Sequence, residues 1–110
     1  MGAAQFSVFR PATTPLNAAD PWSQADALFQ RAVDDARHEE GHGGYTGTIA
    51  EKDSFVQAGV ATSRVEAGGM MDGLWDNEAY TDTWGPAGAL AILAKDDHPG
   101  GYLFFGYASE

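Results

Sequence analysis

Ala25, Leu28, Phe29, Ala32, Val33 and Ala36 fall at i, i+3, i+4, i+7, i+8 and i+11, which makes one apolar stripe over about three helical turns. A chain with such a stripe must supply an apolar surface for it to lie on. Asp20-Pro21 reads as the start of this helix. An Asp carboxylate accepts from the unpaired N–H groups of a first turn, and a proline there gives up only a donor the helix does not use. Gly41-His42-Gly43-Gly44 reads as the stop, so the helix is expected from Asp20 to about Glu40. Asp26, Arg31, Asp34, Asp35 and Arg37 lie on its other face, with Arg31 and Asp35 one turn apart.

The surface beneath the helix is expected to be a sheet. Gln5 to Arg10 is rich in β-branched and aromatic residues and ends at Pro11. Pro11 to Ala19 has no apolar period and reads as a loop. Tyr45 to Lys52 and Phe55 to Val60 read as a hairpin turning at Lys52-Asp53-Ser54. A second hairpin joins Gly88 to Ala94 with Tyr102 to Ala108 across Asp96-Asp97-His98-Pro99-Gly100-Gly101. In its last strand Tyr102, Phe104 and Gly106 share one face and Leu103, Phe105 and Tyr107 the other, so both faces are covered and the strand is central. Gly68-Gly69 is expected to break any helix beginning near Ser63, leaving Met71, Leu74 and Trp75 as one face of a second, short helix. The expected fold class is α+β, with one long N-terminal helix packed on an antiparallel sheet of about four to five strands.

Residues 1–110 suit a single acidic domain, and 44% hydrophobic residues with 12% aromatics suffice for a core. The absence of cysteine excludes disulfides, thiolate metal sites and a cysteine nucleophile. No basic N-terminal leader and no run near the roughly 18 apolar residues of a membrane span is present, so a cytoplasmic protein is expected. Sixteen acidic against six basic residues give a net charge of −10, which repels nucleic acid and anionic membrane and attracts basic partners. The same charge also serves solubility in a salt-rich cytoplasm.

His38-Glu39-Glu40-Gly41-His42 fits H-E-x-x-H, in which two imidazoles one turn apart hold zinc and the Glu activates its water. The glycine inside the motif and the two after it oppose that reading, because the second His must stay helical to face the first. A His in a last helical turn is also favoured by the dipole without any ligand. Only His98 remains as a distant third imidazole. The pairs Asp34-Asp35, Glu39-Glu40 and Asp96-Asp97 would need burial to serve acid catalysis. No G-x-S-x-G, P-loop lysine or dinucleotide-binding glycine pattern occurs. The expectation is a protein that is not an enzyme and holds no metal or cofactor, with a small zinc hydrolase using His38, Glu39 and His42 as the alternative.

Between Arg64 and Lys95 there is no basic residue. Glu66, Asp72, Asp76, Glu78 and Asp82 lie there, interleaved with Met70, Met71, Leu74, Trp75, Tyr80 and Trp84. Carboxylates beside apolar anchors suit a basic protein partner, with Trp75 or Tyr80 as the buried anchor, whereas aromatics in the core and acids on a solvated rim are the alternative. If helical, Asp72 and Asp76 stand one turn of about 5.4 Å apart, near the roughly 6 to 7 Å between successive phosphates. Asp34 and Asp35 on the long helix would extend the row.

Gly44-Tyr45-Thr46-Gly47-Thr48-Ile49-Ala50-Glu51-Lys52, Trp84-Gly85-Pro86-Ala87-Gly88 and Tyr102-Leu103-Phe104-Phe105-Gly106-Tyr107-Ala108-Ser109 resemble small proteins encoded on phages and other mobile elements. Small acidic proteins of that kind look like the pool that supplies anti-CRISPR inhibitors. The resemblance implies a non-enzymatic inhibitor in the host cytoplasm that occupies a nucleic-acid-binding surface, such as that of a CRISPR effector subunit, with carboxylates in place of phosphates. It carries over no functional residue. An acidic regulatory subunit without inhibitory role is the remaining alternative.

Overall fold

The structure, a computed structural model, describes residues 3–40, 48–77 and 82–109. Strand β1 (Ala3–Pro11) is followed by helix α1 (Ala25–Glu40), a single 3-10 turn (Ile49–Glu51), strand β2 (Phe55–Ala61), helix α2 (Arg64–Asp72), and strands β3 (Ala87–Ile92) and β4 (Gly101–Ser109). The strands form a four-stranded sheet in the order β1-β4-β3-β2. β4 is antiparallel to both β1 and β3, but β2 runs parallel to β3, so the sheet is mixed. Among the described residues no helix is long and apolar enough to cross a membrane.

The C-terminal hairpin forms as its pattern predicts. Gly100, at φ 81, makes the turn into β4, where a Cβ would meet the Ile92 carbonyl oxygen. β4 is central, and its side chains feed two cores. Tyr102 and Phe104 join Phe6, Leu28, Phe29, Val33, Ile49, Ala89 and Ala91 beneath α1. Leu103 and Phe105 join Ala61, Ala67, Leu90 and Ile92 on the opposite face, beneath α2. The stripe of α1 is the buried one, from Ala25 to Val33, with Ala36 partly buried beside it.

Three expectations need correction. The first helix begins at Ala25, not Asp20, because the preceding backbone is bonded elsewhere. Tyr102 Oη donates to the Pro21 carbonyl at 2.8 Å and accepts from Gln24 N at 3.2 Å, while Asn17 Oδ1 accepts from Ala19 N and Asp20 N. The helical ladder starts where Leu28 N reaches Gln24 O. The second correction concerns the first hairpin. Thr48 caps a 3-10 turn through its Oγ1, which accepts from Ala50 N, and Ile49 is buried in the core, so these β-branched residues serve a turn and not a strand. Tyr45 to Gly47 lie outside the described residues. β2 therefore pairs in parallel with β3, with α2 as the crossover that a parallel pair requires.

The third correction is α2 itself, which runs through Gly68-Gly69 instead of breaking there. Ser63 Oγ accepts from Glu66 N, and Glu66 Oε1 accepts from Thr62 N, a reciprocal cap that satisfies donors at both sides of the helix start. Met71 lies within this helix, whereas Leu74 and Trp75 follow it in turns.

Candidate protein-binding surface

A parallel crossover returns α2 toward the ends at which β2 and β3 begin, and the acidic residues emerge there. Asp72 is the last residue of α2, Asp76 lies in the turn beyond it, and both are exposed. Trp75 sits between them and packs edge-on against Phe105 and Tyr107, with ring centroids 5.6 and 5.5 Å away. Phe105 pairs with Gly88 near the start of β3, and residues 82–85 lead directly into that strand. Asp72, Asp76 and Asp82 thus belong to one end of the molecule.

The 82–85 turn is organised from inside. Lys52 is only 2% exposed, and its Nζ donates to the carbonyl oxygens of Asp82, Thr83 and Gly85 at 3.1, 3.0 and 2.9 Å. Three carbonyls use all three ammonium donors. Burial pushes the Lys52 pKa below the ordinary lysine value, and the nearby Asp82 carboxylate opposes that shift. Asp82 Oδ1 accepts from Trp84 N at 3.0 Å, and Gly85 N donates to the Asp82 carbonyl. This turn presents Trp84 with 71% of its surface exposed.

The residues expected to form one binding surface are divided by this geometry. Asp72 and Asp76 do not share a helix, because α2 ends at Asp72 and Asp76 lies in the turns beyond it. Trp75 is a half-buried member of the α2-side core and not a projecting anchor. Asp34 and Asp35 cannot extend the row, because α1 packs on the opposite face of the sheet. Asp35 pairs with Arg10, Nη2 to Oδ2 at 3.2 Å, and Asp34 accepts from Gln30 Nε2 at 3.0 Å. Glu78 and Tyr80 lie outside the described residues. The charge around Asp82 is also partly compensated, by a lysine from outside the stretch that lacks bases.

Two contributors do not stand out in the sequence: Lys52, which reads as a turn residue, and Trp84, one aromatic among several. A lysine near Asp53 gives no local sign of burial.

The H-E-x-x-H match is only half within view. His38 and Glu39 lie exposed on the last turn of α1, while Gly41 and His42 lie outside the described residues. His98 serves the β3–β4 turn, its Nδ1 accepting from Gly100 N at 3.1 Å. Among the described residues no group of three metal-ligating side chains comes together. Asp34, Asp96 and Asp97 are exposed and Asp35 is partly so, so none of these has the burial that acid catalysis would need.

Compared with protein-family models, with curated proteins and with solved structures, the chain finds no significant match.

Proposed function

We propose that the protein acts by stoichiometric binding to a basic protein surface, in the manner of an anti-CRISPR inhibitor that takes the place of nucleic acid on a CRISPR effector complex. The observation that carries this reading is the gathering of Asp72, Asp76 and Asp82 at one end of the sheet with the exposed Trp84. Carboxylates accelerate the encounter with lysine and arginine, and a large ring supplies the area that charge alone lacks. Asp72 stands at the negative end of a helix whose last turn has no basic residue. That position is unfavourable to the helix by about a few tenths of a kcal/mol or more.

The test uses purified CRISPR effector complexes, assayed for target-DNA binding with and without the protein. The expected result is inhibition that DNA competes away and that weakens as salt rises. A variant carrying Asp72→Asn, Asp76→Asn and Asp82→Asn should associate more slowly while remaining folded, since Asn Oδ1 at position 82 can still accept from Trp84 N. Equal inhibition by parent and variant, or no inhibition of any effector, would discard the reading.

A further inference from the structure

β2 lies at the edge of the sheet, and among the described residues no strand pairs with its outer side. Edge strands are ordinarily guarded by charge or proline. The other edge, β1, ends in Arg10 and Pro11, whereas Phe55–Ala61 contains neither a charged residue nor a proline and leaves Val56 and Val60 38% and 40% exposed. The Ser54 carbonyl accepts from Ala87 N and the Ala61 carbonyl from Leu93 N, so both point toward β3. Alternation along the strand then turns the backbone amides of Phe55, Gln57 and Val60 to the open side. The register shift between Gln57 and Gly59 falls between the last two.

Beside this edge, on the α1 face, a shallow groove of about 410 Å³ runs between helix and strand. Phe29 and Phe55 form its apolar floor, Gln30 and Gln57 flank it, and its charged residues are Asp26 and Asp53. A strand added to β2 would send alternate side chains into this groove.

We propose that the β2 edge is a docking site for an extended basic segment of a partner protein. Its backbone continues the sheet, and a lysine or arginine side chain enters the groove between Asp26 and Asp53 over the Phe29 and Phe55 rings. The commitment to a basic segment rests on charge. A second copy of this chain, paired edge to edge, would bring together two chains of net charge −10, each with Asp26 and Asp53 beside the junction. An acidic segment meets the same repulsion. A cation meets carboxylates and ring faces, which attract it together. None of Asp72, Asp76, Asp82 and Trp84 lines this groove, although Asp53 stands at the same end of the sheet, next to the Lys52 that holds the 82–85 turn.

The test measures binding of a synthetic peptide as long as β2, with lysine alternating with valine, against its counterpart with glutamate for lysine. The full chain is used, with amide hydrogen exchange followed residue by residue. The lysine peptide is expected to bind and to slow exchange at Phe55, Gln57 and Val60. An Asp26→Asn, Asp53→Asn variant should bind it about three- to tenfold more weakly. Gln57→Pro, which removes an outward N–H without touching the ladder to β3, should weaken it too. The Asp72→Asn, Asp76→Asn, Asp82→Asn variant should lose less affinity for it than the Asp26→Asn, Asp53→Asn variant, and an equal or larger loss would place the peptide at the acidic end and overturn the proposal. Equal binding of the two peptides would overturn the proposal, as would unchanged exchange along β2. So would protection of these amides that grows with protein concentration in the absence of peptide, since that would make a second copy the occupant.

Discussion

On one face of the sheet a sixteen-residue helix lies over a run of rings, with Phe29 against Phe55 and Phe104, and Trp22 stacked on Tyr102. On the other, a nine-residue helix with two glycines in its interior lies over Leu90, Leu103 and Phe105, with Met70, Met71 and Trp75 at its margins. The first face is built from large side chains that seldom leave their rotamers, and the second relies partly on flexible methionines. Each interior glycine costs a helix about 0.8 to 1.0 kcal/mol relative to alanine. α2 therefore exists because Ala67 and Met70 are packed and Ser63 and Glu66 cap it, not because its residues favour helix. The face whose helix has the lower intrinsic propensity is the one whose end displays Asp72, Asp76 and Asp82.

The sharpest way to break this contrast is to remove one ring from each face. Phe104 is fully buried and touches Phe29, Phe55 and Tyr102, so Phe104→Ala should cost about 3 to 5 kcal/mol in urea unfolding. Trp75→Ala should cost distinctly less, because Trp75 keeps part of its surface in solvent and its neighbours can settle into the space. Equal losses would mean that the two faces are packed alike.

Tyr102 sharpens the comparison on the α1 side, since its hydroxyl bonds β4 to the segment that precedes the helix. Tyr102→Phe leaves the ring and removes both hydrogen bonds, a loss of about 0.5 to 1.5 kcal/mol per bond at neutral pH. Burial is the main cause of a raised Tyr102 pKa, opposed by the Gln24 N–H and reinforced by Asp20. With the folded pKa above the unfolded value of 10.0, this stabilisation is complete below pH 10.0 and is lost as pH rises through the folded value. The parent should therefore lose more stability than Tyr102→Phe above that pH. Lys52 acts in the opposite sense below its ordinary 10.5, but it is common to both proteins and drops out of the difference. Parallel alkaline limbs would show that the phenol is not the group responsible.

The contrast between faces also explains what could be read from residue order. A stripe such as Ala25 to Ala36 or an alternation such as Tyr102 to Tyr107 is a local statement of which side is apolar, and both were legible. The partner of a strand is not local. Phe55 to Ala61 has the composition of a strand, but nothing in it distinguishes a hairpin with the preceding segment from a parallel pairing with β3 about thirty residues on. For α2 two local signals conflict: Ser63-Arg64-Val65-Glu66 is a capping box, whereas Gly68-Gly69 argues for a break. At the candidate surface, Trp75 and Trp84 stand in similar acidic surroundings. Only the tertiary placement of Phe105 and Tyr107 buries the first and leaves the second outside. Lys52 is held by three carbonyls 30, 31 and 33 residues away, which no local pattern records.

The smallest expected effect is the most direct test of what its two glycines cost α2. A Cβ built at Gly68 or at Gly69 meets no atom within 4 Å, so alanine fits either site without displacing a neighbour. If the glycines are tolerated only because tertiary contacts override them, Gly68→Ala and Gly69→Ala should each stabilise the protein by about 0.4 to 1 kcal/mol, mainly by restricting the unfolded chain. The same substitution at Gly88 should do the reverse, because a Cβ there would run into the Phe105 ring, with Cε1 at 2.7 Å and Cε2 at 2.8 Å, on the face where α2 rests. Amide exchange in residues 64–72 gives the local readout, and it should slow in the first two variants and quicken in the third. No gain from Gly68→Ala and Gly69→Ala would mean that the helix is not limited by its glycines. The weakness of this face would then lie in its packing against Leu90 and Phe105. If the two do stabilise α2, measuring partner association on the same proteins separates order from charge: a stiffer α2 with all its carboxylates should bind more slowly only if the acidic end must adapt.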